Sequence, residues 1–175
     1  MKKLNKILLA LLAFIAAGFV ASSFVSCSDD DDDNGPSLVA TYKSSVDADN
    51  YSYIYCYSDN TFKASGRIKD VIGEGSDFYY VIDMVFATGT YSGNPTADGT
   101  VSFTTKKEAN TDESVMETKV TEAVAAGKSS VTFTNSDFPL TAVTSEETFQ
   151  ATISGTTLTL PATDEEDDEE VYTRQ

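Results

Sequence analysis

Two thiols and no histidine bound the chemistry open to this 175-residue chain. Without imidazole, neither a Ser-His-Asp nor a Cys-His nucleophile can be assembled, and no His-ligated metal site can form. The thiols are Cys27 and Cys56, and Cys56 has no base to activate it. Carboxylates are abundant, at 28 acidic against 12 basic residues, and twelve of them fall in two runs, Asp29–Asp33 and Asp164–Glu170. Clustered oxygens can hold Ca²⁺. An uninterrupted run lacks the alternating spacing and turn glycine that aim ligands inward, so Asp164–Glu170 reads as a solvated loop, or as a docking point for a basic protein partner. Asp47-Ala48-Asp49-Asn50 opens like a calcium loop but carries nothing of the rest. Paired carboxylates can cleave glycosides without histidine, yet no pair stands out. Asp83, on a mostly apolar stretch, reads as facing solvent. The expectation is therefore a non-enzymatic chain without catalytic residues, metal or cofactor. The other conspicuous pattern is Tyr51, Tyr53, Tyr55 and Tyr57, every second residue. With Phe62 and Tyr80, these rings are candidates to bind a small apolar ligand or stack against sugar, since tyrosine pairs an apolar face with a hydroxyl. The alternative is that they are ordinary core and rim residues of a sheet.

At the start of the chain, Lys2, Lys3 and Lys6 precede an apolar run from Ile7 to Val25, interrupted only by Gly18, Ser22 and Ser23. A charged start, an apolar middle and a small-residue end make a secretory signal. A membrane-spanning anchor of similar length fits less well, because no positive flank follows. Phe24-Val25-Ser26-Cys27 resembles the lipobox of bacterial lipoproteins. That resemblance implies cleavage before Cys27 and a thioether-linked diacylglycerol on its sulfur. Each buried acyl methylene adds about 0.8 kcal/mol of membrane affinity. Ser28 and Asp29–Asp33 are similar to the surface-export signal of Bacteroidetes lipoproteins, which implies an outer-membrane protein exposed on the cell surface. The plain alternative is a solvated spacer, extended by its own charge repulsion.

These features divide the chain into a signal peptide, 1–26, a lipidated cysteine with its acidic tether, 27–37, and one folded domain, 38–175. Asn34-Gly35-Pro36-Ser37 is turn and linker chemistry. Cleavage would leave 9 basic and 28 acidic residues, and between the two acidic runs the balance is 8 basic to 16 acidic. Nucleic acid is a poor partner for such a chain. With Cys27 acylated, Cys56 is the only free thiol and no intrachain disulfide can form.

From Leu38 onward, β-branched and aromatic residues alternate with polar ones between turn signals. Strands are expected near 38–45, 50–57, 61–69, 77–91, 100–107, 129–134, 148–153, 156–160 and 171–175. Between Thr111 and Gly127 the apolar residues Met116, Val120, Ala123 and Val124 recur at helical spacing, and predict one short helix capped by residues 110–112 and Gly127. Phe78, Tyr80, Ile82, Met84 and Phe86 share one face of a long strand. Reading Asp59-Asn60 as a two-residue turn pairs Tyr57 with Phe62 and Tyr51 with Ile68. That register turns the tyrosines inward, with Ala64 and Gly66 leaving them room, and puts Ser52, Ile54 and Cys56 outside. A three-residue turn inverts both faces. An ordered meander of about eight strands closes most economically into an antiparallel up-and-down barrel, which removes the sheet edges. A β-sandwich is the alternative.

Ser58-Asp59-Asn60-Thr61-Phe62, Gly89-Thr90-Tyr91, Ile153-Ser154-Gly155-Thr156-Thr157-Leu158-Thr159-Leu160 and Tyr172-Thr173-Arg174 together resemble the strand-turn pattern of bacterial lipocalin-like lipoproteins. The tryptophan of the Gly-x-Trp start of true lipocalins is absent. The resemblance implies a lipocalin-like barrel anchored to the membrane through Cys27, with binding of a small apolar ligand as its role. The alternative role is a filled barrel serving as a structural or partner-interaction lipoprotein.

Overall fold

The apolar alternation of the domain is realised as ten strands and one helix in a computed structural model, which describes residues 35–72, 77–161 and 169–175. The strands are β1 (Leu38–Ser45), β2 (Tyr51–Tyr57), β3 (Thr61–Val71), β4 (Tyr79–Ser92), β5 (Gly99–Ala109), β6 (Ser130–Phe133), β7 (Leu140–Ala142), β8 (Thr148–Ser154), β9 (Thr157–Leu160) and β10 (Glu170–Arg174). The helix, α1, spans Glu113–Ala125. Antiparallel pairing runs β4-β3-β2-β1-β10-β9-β8-β5, and β5 pairs back onto β4. This closes an eight-stranded barrel and excludes the sandwich, because a closed ring leaves no pair of separate sheets. The residues from 110 to 147 are an insertion between the fifth and sixth strands of the ring, holding α1, β6 and β7.

The insertion is possible because β4 and β5 part company. Phe86 is an extra residue in β4, lying between partners that give Ala64↔Ala87 and Ser65↔Val85. A bulge of this kind bends the strand and shifts its inward parity. Before it, Tyr80, Ile82 and Met84 face inward; beyond it, Gly89 and Tyr91 do. The first part of β4 pairs in parallel with β6, Tyr79↔Ser130 to Ile82↔Phe133, and only the last part pairs with β5. The Asn135 side chain supplies what the parting leaves open. Its Oδ1 accepts from the Val85 N–H at 2.8 Å, and its Nδ2 donates to the Val85 carbonyl at 2.9 Å. The three-residue strand β7, which no alternation in the sequence marks, pairs with β5 on the side away from β4, prolonging the edge that β8 covers, through Lys107↔Ala142 and Ala109↔Leu140.

Every strand enters and leaves the barrel at one of two ends. One end has short connections: the turns at 58–60 and 155–156, and the loop 93–98. The other carries 46–50, 72–78, the insertion, and the connection from β9 to β10. The 93–98 loop lies across the first end and is held there. The Tyr42 hydroxyl donates to the Pro95 carbonyl at 2.6 Å, the Arg174 guanidinium to the Thr96 carbonyl at 2.8 Å, and the Gly155 N–H to Asp98 Oδ1 at 2.7 Å. The insertion covers the second end. Val115, Met116 and Val120 of α1 pack with Phe78, Tyr80 and Phe86 around a buried group of Ile68, Ile82, Met84, Val131, Phe133 and Phe138. Asp112 caps α1 by accepting from the Ser114 N–H at 2.9 Å, and Gly127, with φ of 69°, follows its end. Both were legible as caps.

The first hairpin corrects the expected register. The Asn60 N–H donates to the Tyr57 carbonyl at 3.0 Å and Asn60 takes φ of 63°, so three residues, 58–60, make the turn rather than two. A type I turn followed by a left-handed residue is the usual three-residue hairpin, and asparagine tolerates that conformation. Cys56 therefore pairs with Phe62, Ile54 with Ala64 and Ser52 with Gly66. The two faces are exchanged: Ser52, Ile54 and Cys56 point into the barrel, and the tyrosines point out. Gly66 makes room for Phe86 rather than for tyrosine, since a Cβ there would lie 2.5 Å from the Tyr51 carbonyl and 3.0 Å from the Phe86 ring.

Candidate functional site

A ligand could be held in the barrel interior, at the far end, or on the outer face, and the residues differ sharply between them. Inside, the part nearer the short turns is solid. Tyr42, Cys56, Val101, Phe103, Ala151 and Leu158 each have 0% of their surface accessible. Side chains with no accessible surface border no space that water can enter. Phe62 stands edge-on to Phe103 with centroids 5.2 Å apart, and Phe149 stacks on the other side at 5.3 Å. The Phe62 ring is thus a core component. Tyr80 is also inside, in the group beneath the insertion, and burial raises its hydroxyl pKa above the ordinary tyrosine value.

Cys56, expected outside, lies at the centre of this packing, and burial pushes its thiol up to about 12. It is a small apolar filler there, as unpaired cysteine usually is. Three polar groups in the interior form a chain. The Ser52 hydroxyl donates to the Tyr172 hydroxyl at 3.0 Å, which donates to Glu170 Oε1, also at 3.0 Å. Burial raises the Glu170 carboxyl above the ordinary glutamate range, opposed in part by the Tyr172 hydrogen bond.

Outside, Tyr51, Tyr53 and Tyr55 form a row along β2, each ring half-buried. Tyr51 meets Tyr53 edge-on and Tyr53 lies near-parallel to Tyr55, both with centroids 5.6 Å apart. Strand pairing sets Lys43 of β1 beside Tyr53, and Lys63 of β3 beside Tyr55. The Lys43 ammonium sits 5.4 and 5.5 Å from the Tyr51 and Tyr53 rings, and that of Lys63 sits 4.8 Å from the Tyr55 ring. Cations over aromatic faces are attracted by the ring quadrupole. Arg67, opposite Tyr51, instead binds Asp83 Oδ2 at 3.0 Å, and Lys69 binds Asp49 at 2.9 Å while lying 4.8 Å from the Tyr79 ring. Four of the twelve basic residues of the chain therefore share one face with this row. Among the described residues, Lys43 and Lys63 form no ion pair, and their ammonium groups are set over rings rather than against carboxylates.

The structure thus brings Tyr51, Tyr53 and Tyr55 together, with Tyr57 at the end of the row, and separates Phe62 and Tyr80 from them. The lysines were missed in the sequence. Their signal was the alternation in Thr41-Tyr42-Lys43, which puts Lys43 on the face opposite the buried Tyr42. Asp83 is exposed, as expected. Asp47 is spent on its own turn, accepting from the Asp49 N–H at 2.8 Å and from the Asn50 amide at 3.0 Å. Cys27, Asp29–Asp33 and Asp164–Asp168 lie outside the described residues. Among the described residues, no three side chains of His, Cys, Asp or Glu gather as a metal site, and no helix is long and apolar enough to cross a membrane. Comparison of the chain with family models, with curated proteins and with solved structures finds no match.

Proposed function

We propose that the protein is a lipid-anchored, non-enzymatic lipoprotein of the bacterial outer-membrane surface, and that its barrel works through its outside rather than as a carrier. The observation that carries this reading is the exchange of faces in the first hairpin. The tyrosines of β2 expected to line a cavity are outside, and the space behind them is taken by Ile54, Cys56, Phe62 and Phe103. An apolar carrier needs a cavity of about 300 Å³ or more. An interaction protein needs a filled scaffold and a face of large, partly buried rings with polar groups at their margin, where binding energy concentrates.

The anchoring half of the proposal rests on the resemblance at Phe24–Cys27. The barrel geometry is compatible with it: β1 starts at Leu38, with Ser37 hydrogen-bonded to Ser58 at the end bearing the short turns. With Cys27 acylated, that end faces the membrane and the end bearing the insertion faces away.

Two measurements test the halves separately. Growth with radiolabelled palmitate is expected to label the protein, and Cys27→Ser to abolish the label; persistence of label would sink the anchor. Native mass spectrometry of protein drawn from its own envelope is expected to give the bare, acylated mass. A reproducible extra mass lost on denaturation would restore the carrier.

A further inference from the structure

Resting on the reading that the barrel acts through its outer face, we propose that the face formed by β1, β2 and β3 binds an acidic polysaccharide, with the Tyr51, Tyr53 and Tyr55 rings contacting successive sugars and Lys43 and Lys63 pairing with their acid groups. Three observations converge on that ligand. First, three rings are evenly spaced along one strand: the centroids are 5.6 Å apart in both steps, with the planes edge-on in the first and near-parallel in the second. An evenly spaced row suits a ligand of repeating units, and tyrosine offers both the apolar surface and the hydroxyl that a sugar uses.

Second, the charge is positive where the molecule as a whole is negative. The chain carries −16, yet the described residues give Lys43 and Lys63 no carboxylate partner, and these cations flank the row diagonally from β1 and β3. At physiological ionic strength, fields are screened beyond about 8 Å. The sign met by a ligand on this face is therefore set by the charged groups within that range, among which Lys43 and Lys63 stand directly beside the rings. Lys69 and Arg67 prolong the cationic strip, although Asp49 and Asp83 offset their charge.

Third, the competing polyanion, an acidic peptide, has no good way to dock. Peptides commonly add to a sheet as an extra strand, through main-chain hydrogen bonds at a free edge. Here β2 is paired on both sides, to β1 and to β3, within a closed ring. An acidic glycan needs no edge, only rings and cations spaced along a surface.

The test is titration calorimetry of the whole chain in detergent micelles with three probes: hexagalacturonate, the uncharged cellohexaose, and poly-L-glutamate. Hexagalacturonate is expected to bind, and to bind at least tenfold more tightly than the other two. The double variant Lys43→Gln, Lys63→Gln is expected to weaken it about tenfold, the worth of two exposed ion pairs. Tyr53→Ala and Tyr55→Ala are expected to weaken it similarly, while Tyr53→Phe, which keeps the ring, holds most of the affinity. All four positions lie on the outer face, and thermal midpoints close to that of the parent would show that the barrel is intact.

Cellohexaose bound as tightly would remove the role of charge, and poly-L-glutamate bound as tightly would make the partner an acidic peptide. No binding of hexagalacturonate, or binding indifferent to all the variants, would overturn the proposal outright. These results are independent of those above: failed palmitate labelling sinks the anchor and a captured interior ligand sinks the outward-acting barrel, whether or not this face binds sugar.

Discussion

Cys56 and Glu170 show how burial alone decides what a side chain can do. The Cys56 thiol lies between β1 and β3 with no accessible surface, and its pKa of about 12 leaves almost no thiolate at neutral pH. Since the thiolate is the reactive form, a disulfide reagent is expected to leave Cys56 untouched in the folded barrel and to modify it promptly in urea. Replacing the sulfur by a hydroxyl puts a polar group with no partner among Ile54, Phe62 and Phe103. Cys56→Ser is therefore expected to cost about 1–3 kcal/mol in urea denaturation, and Cys56→Ala less than that. Glu170 behaves in the opposite sense to a salt-bridged carboxylate. Its folded-state pKa is raised, so between the ordinary glutamate value and the raised one the folded barrel keeps a proton that the unfolded chain has released. Stability should then fall as pH rises through that interval. Glu170→Gln keeps the oxygen that accepts from Tyr172 and removes the titration. The gap between urea midpoints of variant and parent is expected to widen in favour of the variant from about pH 4 upward, by linkage. A constant gap would place the Glu170 pKa at its unfolded value.

At the scale of elements, most strands and the helix were legible, because a period of two and a period of 3.6 leave different marks. β1 begins and ends where the alternation does, and Val101 with Phe103, Ala151 with Ile153, and Leu158 all turned inward as their spacing requires. What the alternation could not give is the phase of a hairpin, which depends on the number of turn residues. Asp59-Asn60 and Ser58-Asp59-Asn60 are both reasonable turns, and one residue of difference moved four tyrosines from inside to outside. The Asp59 carboxylate tips the balance by accepting from the Thr61 N–H at 3.0 Å, a side-chain contact that holds the longer turn. β7 was illegible for another reason: its three residues are too few to show a period, and only their pairing along β5 beyond the end of β8 defines them. The candidate site was half legible, since the tyrosines announced themselves but their lysine neighbours come from other strands. Asn135 belongs to this scale too. Asn135→Leu would leave the Val85 N–H and carbonyl without partners at the point where β4 leaves β5, and is expected to cost about 2–4 kcal/mol by thermal or urea denaturation. Asp112→Ala, which removes only the α1 cap, should cost about 1 kcal/mol in the same assay.

For the molecule as a whole, the barrel is polar from end to end: short turns and one pinned loop at one end, long connections and the insertion at the other. Anchoring at Cys27 would hold the first end toward the bilayer. With lipid-borne quenchers in reconstituted vesicles, a fluorophore on a cysteine at Ser58 is expected to be quenched more strongly than one at Glu113. Equal quenching would mean a tether long enough to erase orientation. To keep the labelling single, Cys56 can be left in place, since its buried thiol should not react.

The β1–β10 seam has a consequence for the order in which the protein can come into being. Tyr42 pairs with Arg174 and Lys43 with Thr173, so the first strand made waits for the last. A chain made from its N-terminus cannot complete this ring until the residues of β10 have been added. Until then β1 and β9 each present an unpaired edge, the feature that invites aggregation. Contacts this distant along the chain also slow folding, because loop closure must be paid in entropy before the pairing returns anything. The same seam that closes the finished ring therefore leaves an unfinished chain open until its β10 residues arrive.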